Sequence, residues 1–218
     1  MNSNWMLFLH SLFLLPGAFF APIIHEWTKA RVSSVLGDNT PKRGGFMTMN
    51  PLKFFEPIGF FMMMYFQVGW GQPVPTSPLQ YKDRRKGVLL TYSVPIVVNL
   101  LVGMVTIALI TWFELPLRMA VNDATGGAEW AHMLLIIVWN MIYQFGRLNI
   151  ILAVFNLVPI YPMAMNKLAG LFLSPENYMK LTQREKLLQM FLFLALVFGI
   201  VQTIVFPIAN IFIQAVSF

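Results

Sequence analysis

His25, Glu26 and Lys29 stand within five residues of one another at the end of a long apolar run. They read against the H-E-x-x-H pattern, in which two histidines four apart share a helix face and grip zinc while the glutamate activates the metal-bound water. Here the second histidine position holds Lys29. A cation stands where a ligand is needed.

The elements that must position this motif follow from composition. The 218 residues are 57% hydrophobic and only 11% charged, with a mean hydropathy of +0.66. This places the chain among membrane proteins, as one polytopic membrane domain over 1–218. Cysteine is absent, so disulfides and thiolate sites are excluded and any metal must use His, Asp or Glu. Apolar stretches near 5–28, 88–113, 131–160 and 187–216 each exceed the roughly 20 residues a hydrocarbon core requires. The expected fold is therefore all-α, with about four transmembrane helices. The first stretch has no basic n-region before it and reads as a retained span. A further stretch, 54–68, is short and contains Glu56, Pro57 and Gly59, which fits a re-entrant or interfacial segment better than a crossing.

Charge placement supports this order. All fifteen lysines and arginines except Arg118 and Arg147 fall within 29–53, 71–87 and 161–187. Those segments share a side only if 54–68 does not cross, and the positive-inside rule then makes them cytoplasmic with both termini outside. The net charge of +6 is accounted for by this sorting. The cations are spread over loops without aromatics interleaved on a groove, so the expected partner is the lipid bilayer and not nucleic acid.

Between the first two spans, Gly37-Asp38-Asn39-Thr40-Pro41 and Gly44-Gly45 have turn chemistry, and Phe46-Met47-Thr48-Met49 alternates up to Asn50-Pro51. This predicts a small β-hairpin over about 40–52. Gly69-Trp70-Gly71-Gln72-Pro73-Val74-Pro75 is expected to be extended by its prolines, with Trp70 at the membrane interface. Both segments, Thr48 included, are candidate peptide-contact surfaces; plugging the mouth of a helix bundle is the other reading.

Five segments in order resemble the site-2 protease family of intramembrane zinc metalloproteases, in its compact bacterial-type form. His25-Glu26 with Ala30 resembles the H-E-x-x-H-A helix, and Leu36 to Pro41 with Asn50-Pro51 resembles the segment after it. Gly69 to Pro75 resembles the G-W-x-x-P-V-P stretch. Pro95 with Asn99 resembles the G-P-x-x-N helix, with Val94 in place of glycine. Asn149 to Pro162, including Asn156 and Pro159, resembles the helix that precedes the third zinc ligand. The resemblance implies a bacterial cytoplasmic (inner) membrane location, a zinc-dependent peptidase ancestry, and substrate-peptide or oxyanion contacts at Asn99 and Asn156. Helix-to-helix bonding is the competing role for both amides.

Two departures run against the implied activity. The family's last motif ends in P-L-D-G, with a zinc-binding aspartate, whereas this chain reads Pro162-Met163-Ala164-Met165. With Lys29 and Ala164 at vestigial ligand positions, only His25 is left of the implied set, and catalytic zinc requires three protein ligands and a water. His10 lies about 22 Å back along the helix, and His132 begins a span on the opposite side. Asn166 is a neutral amide, and Glu26 as a ligand would cease to be the base. The expectation is no metal and no peptidase activity, with Glu26 a vestigial general base.

Without zinc, a buried Glu26 is an uncompensated carboxylate, and Lys29, three residues later on a helix, can reach it. Lys29 snorkelling to the interface beside Arg31 is the alternative. Pro16, Gly17 and Pro22 either shape a cavity around the former site or are ordinary membrane-helix residues. Met62-Met63-Met64 and the twenty phenylalanines either adapt to another protein's helix or pack and face lipid. The leading function is a pseudoprotease that binds transmembrane segments of other membrane proteins as an assembly factor, regulator or complex subunit. The alternative is an active intramembrane zinc metallopeptidase with an atypical metal site. A channel or transporter is weakly supported, since Glu26, Lys29 and Arg147 alone would supply its charged pathway.

Overall fold

In the computed structural model, residues 3–217 are described, with side chains over 11–174 and 176–217. The described chain is helical: α1 Ser3–Val35, α2 Thr40–Arg43, α3 Pro57–Phe66, α4 Arg84–Thr125, α5 Glu129–Phe155, α6 Ala164–Ala169, α7 Pro175–Gln183, α8 Glu185–Val197 and α9 Ile200–Gln214. Two 3-10 turns, Pro51–Phe54 and Pro78–Gln80, join them.

Helices α4 and α5 are long and apolar enough to cross a membrane, and α8 with α9 form a third crossing if that pair, bent by 73°, is one broken span. The bend falls where Gly199 takes φ 75, a left-handed conformation that costs glycine little. This all-helical arrangement fits an integral membrane protein. Four straight spans are not supported. The expected first span lies in α1, whose first side chains fall outside the described residues, and the expected last span is two helices of 13 and 15 residues. The segment at 54–68 forms α3, whose 10 residues measure about 15 Å, half a hydrocarbon core.

The expected hairpin is corrected: no strand occurs among the described residues, and 40–54 forms a helical turn, a glycine turn and a 3-10 turn. Prolines explain this. Pro41 lies in the first turn of α2, Pro51 starts the 3-10 turn, and each removes a backbone donor that a ladder would use. Asn50 caps the second turn by accepting from the Leu52 amide at 3.0 Å. Phe46 instead packs its ring 5.7 Å from that of Phe54.

The main core joins α1, α3, α4, α5, α8 and α9 through buried Leu14, Met63, Ile107, Leu148, Leu196 and Val205. Small residues set the helix spacing. A Cβ on Gly103 would lie 2.6 Å from the Gly146 carbonyl oxygen, and one on Gly17 would lie 2.9 Å from that of Gln144. Close approach of this kind is how helices pack where lipid supplies no hydrophobic drive between them. Large apolar side chains such as Leu101, Val105, Ile136 and Ile204 remain exposed on the outer faces, where a bilayer would solvate them.

Gly103→Leu is expected to lower stability by about 1–3 kcal/mol, read as a shift in denaturant unfolding in detergent micelles. Gly126→Asn, at a left-handed turn with nothing within 4 Å of the added Cβ, should shift it far less.

Candidate functional site

The motif lies in the C-terminal half of α1, and His25, Glu26 and Lys29 are all buried, at 4%, 5% and 4% exposure. Lys29 does not snorkel. Its Nζ donates to both oxygens of Glu26, at 3.1 and 2.8 Å, and lies 5.4 Å from the centroid of the Tyr92 ring on α4. Cation, carboxylate and aromatic face thus form one packed unit.

The carboxylate has a third partner. Glu26 Oε2 accepts from the Val74 backbone amide at 2.8 Å, which binds the extended 68–77 segment to α1. The contact depends on Gly71, because a Cβ there would lie 3.0 Å from the Pro22 and Phe54 carbonyl oxygens and 3.2 Å from Glu26 Cγ. The segment is held at further points. Gln72 N–H donates to the Phe54 carbonyl at 2.8 Å, the Thr76 and Tyr92 hydroxyls meet at 2.7 Å, and Ser77 N–H donates to Asp38 Oδ2 at 2.8 Å. The segment has no helix or strand over 68–77 and lies as a strap across the motif.

His25 faces a different set of partners. Asn99 Nδ2 on α4 donates to the Ala21 carbonyl at 3.0 Å and to Asn149 Oδ1 on α5 at 2.8 Å. Its Oδ1 therefore faces His25 Nδ1, 3.1 Å away. In the neutral ring this places the proton on Nδ1 and leaves the lone pair on Nε2. Asn149 Nδ2 closes the chain on the Phe145 carbonyl at 2.8 Å. Three helices are joined by one fully buried amide chain.

At the end of α5, Asn156 Nδ2 donates to the Leu152 carbonyl at 2.9 Å and its Oδ1 accepts from Ala164 N at 3.1 Å. This sets the start of α6. Ala164 is buried in a cluster with Tyr81, Val88, Tyr92 and Leu168, so the vestigial third-ligand position belongs to the same packed region as the ring beneath Lys29. Pro159 is exposed in the intervening turn, and Thr48 lies apart, its Oγ1 accepting from Asn50 N at 3.0 Å. His132 is near the start of α5 beside Glu114 and Arg118. The side chain of His10 lies outside the described residues.

The donor set does not meet the needs of catalytic zinc. Among the described residues, no group of three or more His, Cys, Asp or Glu could hold a metal ion, and both Glu26 oxygens are engaged by Lys29. Asn166 is fully buried with neither amide atom partnered, and being uncharged it does not replace a carboxylate.

Sequence reasoning named Asn149 and Val74 only as parts of longer stretches, with no role of their own, and passed over Tyr92 and Thr76. Asn149 was detectable, since it precedes Asn156 by seven residues and so shares its helix face. The Tyr92 contact and the amide's aim depend on packing between distant segments.

Asp38 anchors the strap's far end, accepting from Ser33 Oγ, Thr40 N and Ser77 N, each at 2.8 Å. Burial pushes its carboxyl up, but hydrogen bonds from Thr40, Ser77 and Ser33 outweigh this and hold it below the ordinary carboxylate value.

Over 163 residues, 74% of this chain, the sequence is 27% identical to a protein of Bacillus subtilis (strain 168) named "Putative zinc metalloprotease YwhC", of which it covers 69%. No family model and no solved structure matches the chain. The likeness fits the site-2 protease-like resemblance of the motifs.

Lys29→Met should destabilise the protein by about 3–5 kcal/mol by leaving a buried lone carboxylate, with Glu26→Gln in the same chain recovering most of the loss. Denaturant unfolding of the two variants in micelles measures this. Because the folded Asp38 carboxyl is the stronger acid, its contribution is complete above the unfolded value of about 3.9 and is lost as pH falls through the folded value. Asp38→Asn should cost about 1–2 kcal/mol at neutral pH and flatten the acid limb of a stability-against-pH profile.

Proposed function

We propose that this chain is a catalytically inactive, site-2 protease-like membrane protein. It holds a transmembrane segment of another protein without cutting it, as an assembly factor, regulator or permanent subunit of a membrane complex. One observation carries the reading: the Lys29 ammonium is bonded to both oxygens of the carboxylate that would otherwise activate water. A base paired on both oxygens is a poorer proton acceptor, because taking a proton from water would weaken its bonds to the Lys29 ammonium. Ala164 supplies a methyl group where the resemblance implies a metal-binding carboxylate.

An apolar cleft of about 300 Å³ offers a place for the guest segment. It is lined by Ile58, Trp70, Pro73, Leu192, Phe193 and Leu196, so it lies between the strap and α8. In this reading the protein sits in the bacterial cytoplasmic membrane with its cationic loops in the cytoplasm and both termini outside. α1 and the α8–α9 pair then supply the remaining crossings.

The name of the Bacillus relative favours a second reading, an active peptidase with an atypical metal site, and His25 Nε2 retains a lone pair for it. Metal content separates the two. The full chain, purified gently from membranes, is expected to carry no stoichiometric zinc and to retain a membrane-protein partner; stoichiometric zinc with His25-dependent proteolysis would establish the second reading. Lys29→His with Ala164→Asp should convert the same scaffold to a zinc-binding one.

A further inference from the structure

A cavity of about 430 Å³ lies next to the motif but is not part of it. Thr76 and Pro78 of the strap, Arg84, Arg85, Val88 and Tyr92 of α4, Lys167 of α6, Gly170 and Leu171 just after it, and Tyr178 of α7 line it. Three of these residues are cations and none is a carboxylate. Among the described residues, no ion pair engages Arg84, Arg85 or Lys167, whereas Lys86 next door lies 3.9 Å from Asp83. Lys167 Nζ lies 5.9 Å from the centroid of the Tyr161 ring, a contact that leaves its charge unneutralised, and neither arginine is held by a carboxylate.

The shape of the cavity comes from specific packing. Gly170 allows the Tyr178 ring to close one side, since a Cβ there would lie 2.9 Å from the ring. The Thr76–Tyr92 hydroxyl contact fixes the wall shared with the motif. Asp83 caps α4 through the Arg85 and Lys86 amides, at 3.0 and 3.1 Å, which holds both arginines at the mouth. Val88, Leu171 and Pro78 add an apolar strip beside the cations.

We infer that this cavity binds a phosphate-bearing anion. Arginine forks meet phosphate oxygens in bidentate fashion, and a lysine supplies a point charge to the same group. The volume suits a headgroup or a small organophosphate, and the apolar strip suits the carbon skeleton attached to it. The phosphate can come from an anionic phospholipid at the membrane surface or from a soluble phosphate ester, and the chemistry of the contacts is the same for both. The inference rests on the cavity alone and is independent of whether Glu26 is catalytic.

The test uses the full chain in phosphatidylcholine nanodiscs, titrated in one arm with glycerol 3-phosphate and remade in the other with increasing phosphatidylglycerol, with thermal unfolding as the readout. Saturable stabilisation in the lipid arm alone identifies a lipid headgroup, and in the glycerol 3-phosphate arm a soluble ester. Arg84→Gln with Arg85→Gln should weaken the effective arm at least tenfold, and Lys167→Gln alone should weaken it measurably. Lys82→Gln with Lys86→Gln removes the same charge from outside the cavity and should leave it unchanged. Saturation in neither arm, or equal loss in the two double variants, would overturn the assignment.

Discussion

A carboxylate enclosed by membrane helices must be neutralised, because desolvation of an isolated charge costs more than a single contact recovers. In this protein Lys29 neutralises Glu26 from one turn away on the same helix. The local structure is arranged around that pair. The Val74 amide donates to the carboxylate's Oε2, Gly71 is small so that the strap can come close enough, and Tyr92 offers its face to the ammonium. A metal ion in the same place would supply more charge and demand more ligands. The lysine supplies one charge and brings its own tether.

The second framework is neutral. His25, Asn99 and Asn149, all buried, form a chain of amide and imidazole contacts through α1, α4 and α5 that ends on the carbonyl of half-buried Phe145. In a low-dielectric interior such a chain rigidifies when complete and is costly when broken. It lies one residue along the helix from the ion pair, so the two networks share α1 but not their partners. The histidine is thereby held in one orientation through its Nδ1 contact with Asn99.

The sequence made the helical class, the apolar stretches and the pairing distance of Glu26 and Lys29 legible, because each follows from a periodicity or a composition. It misled at 40–52, where alternating Phe46 to Met49 resembled a strand although Pro41 and Pro51 had already removed the necessary donors. The stretch from 187 to 216 read as one span because hydropathy does not register a single glycine's backbone, and Gly199 bends it. Tyr92 and the Val74 amide were invisible for another reason. Their roles exist only after segments some fifty residues apart have packed, and neither residue type announces it.

The length of α4 has a consequence of its own. Its 42 residues measure about 63 Å, while a hydrocarbon core of about 30 Å crossed at an ordinary tilt of about 20° takes up roughly 21 of them. If the core begins near Val88, it ends close to Trp112, which is exposed; indole rings favour that boundary. Pro116 falls just beyond, and its missing N–H leaves the Trp112 carbonyl without a helical donor, a group that water can satisfy there. The remaining turns of α4 and the glycine corner at 126–127 then stand clear of the lipid as a stalk of about 20 Å. On that placement, a chain that is buried and paired at its chemical centre extends past the far edge of the hydrocarbon core.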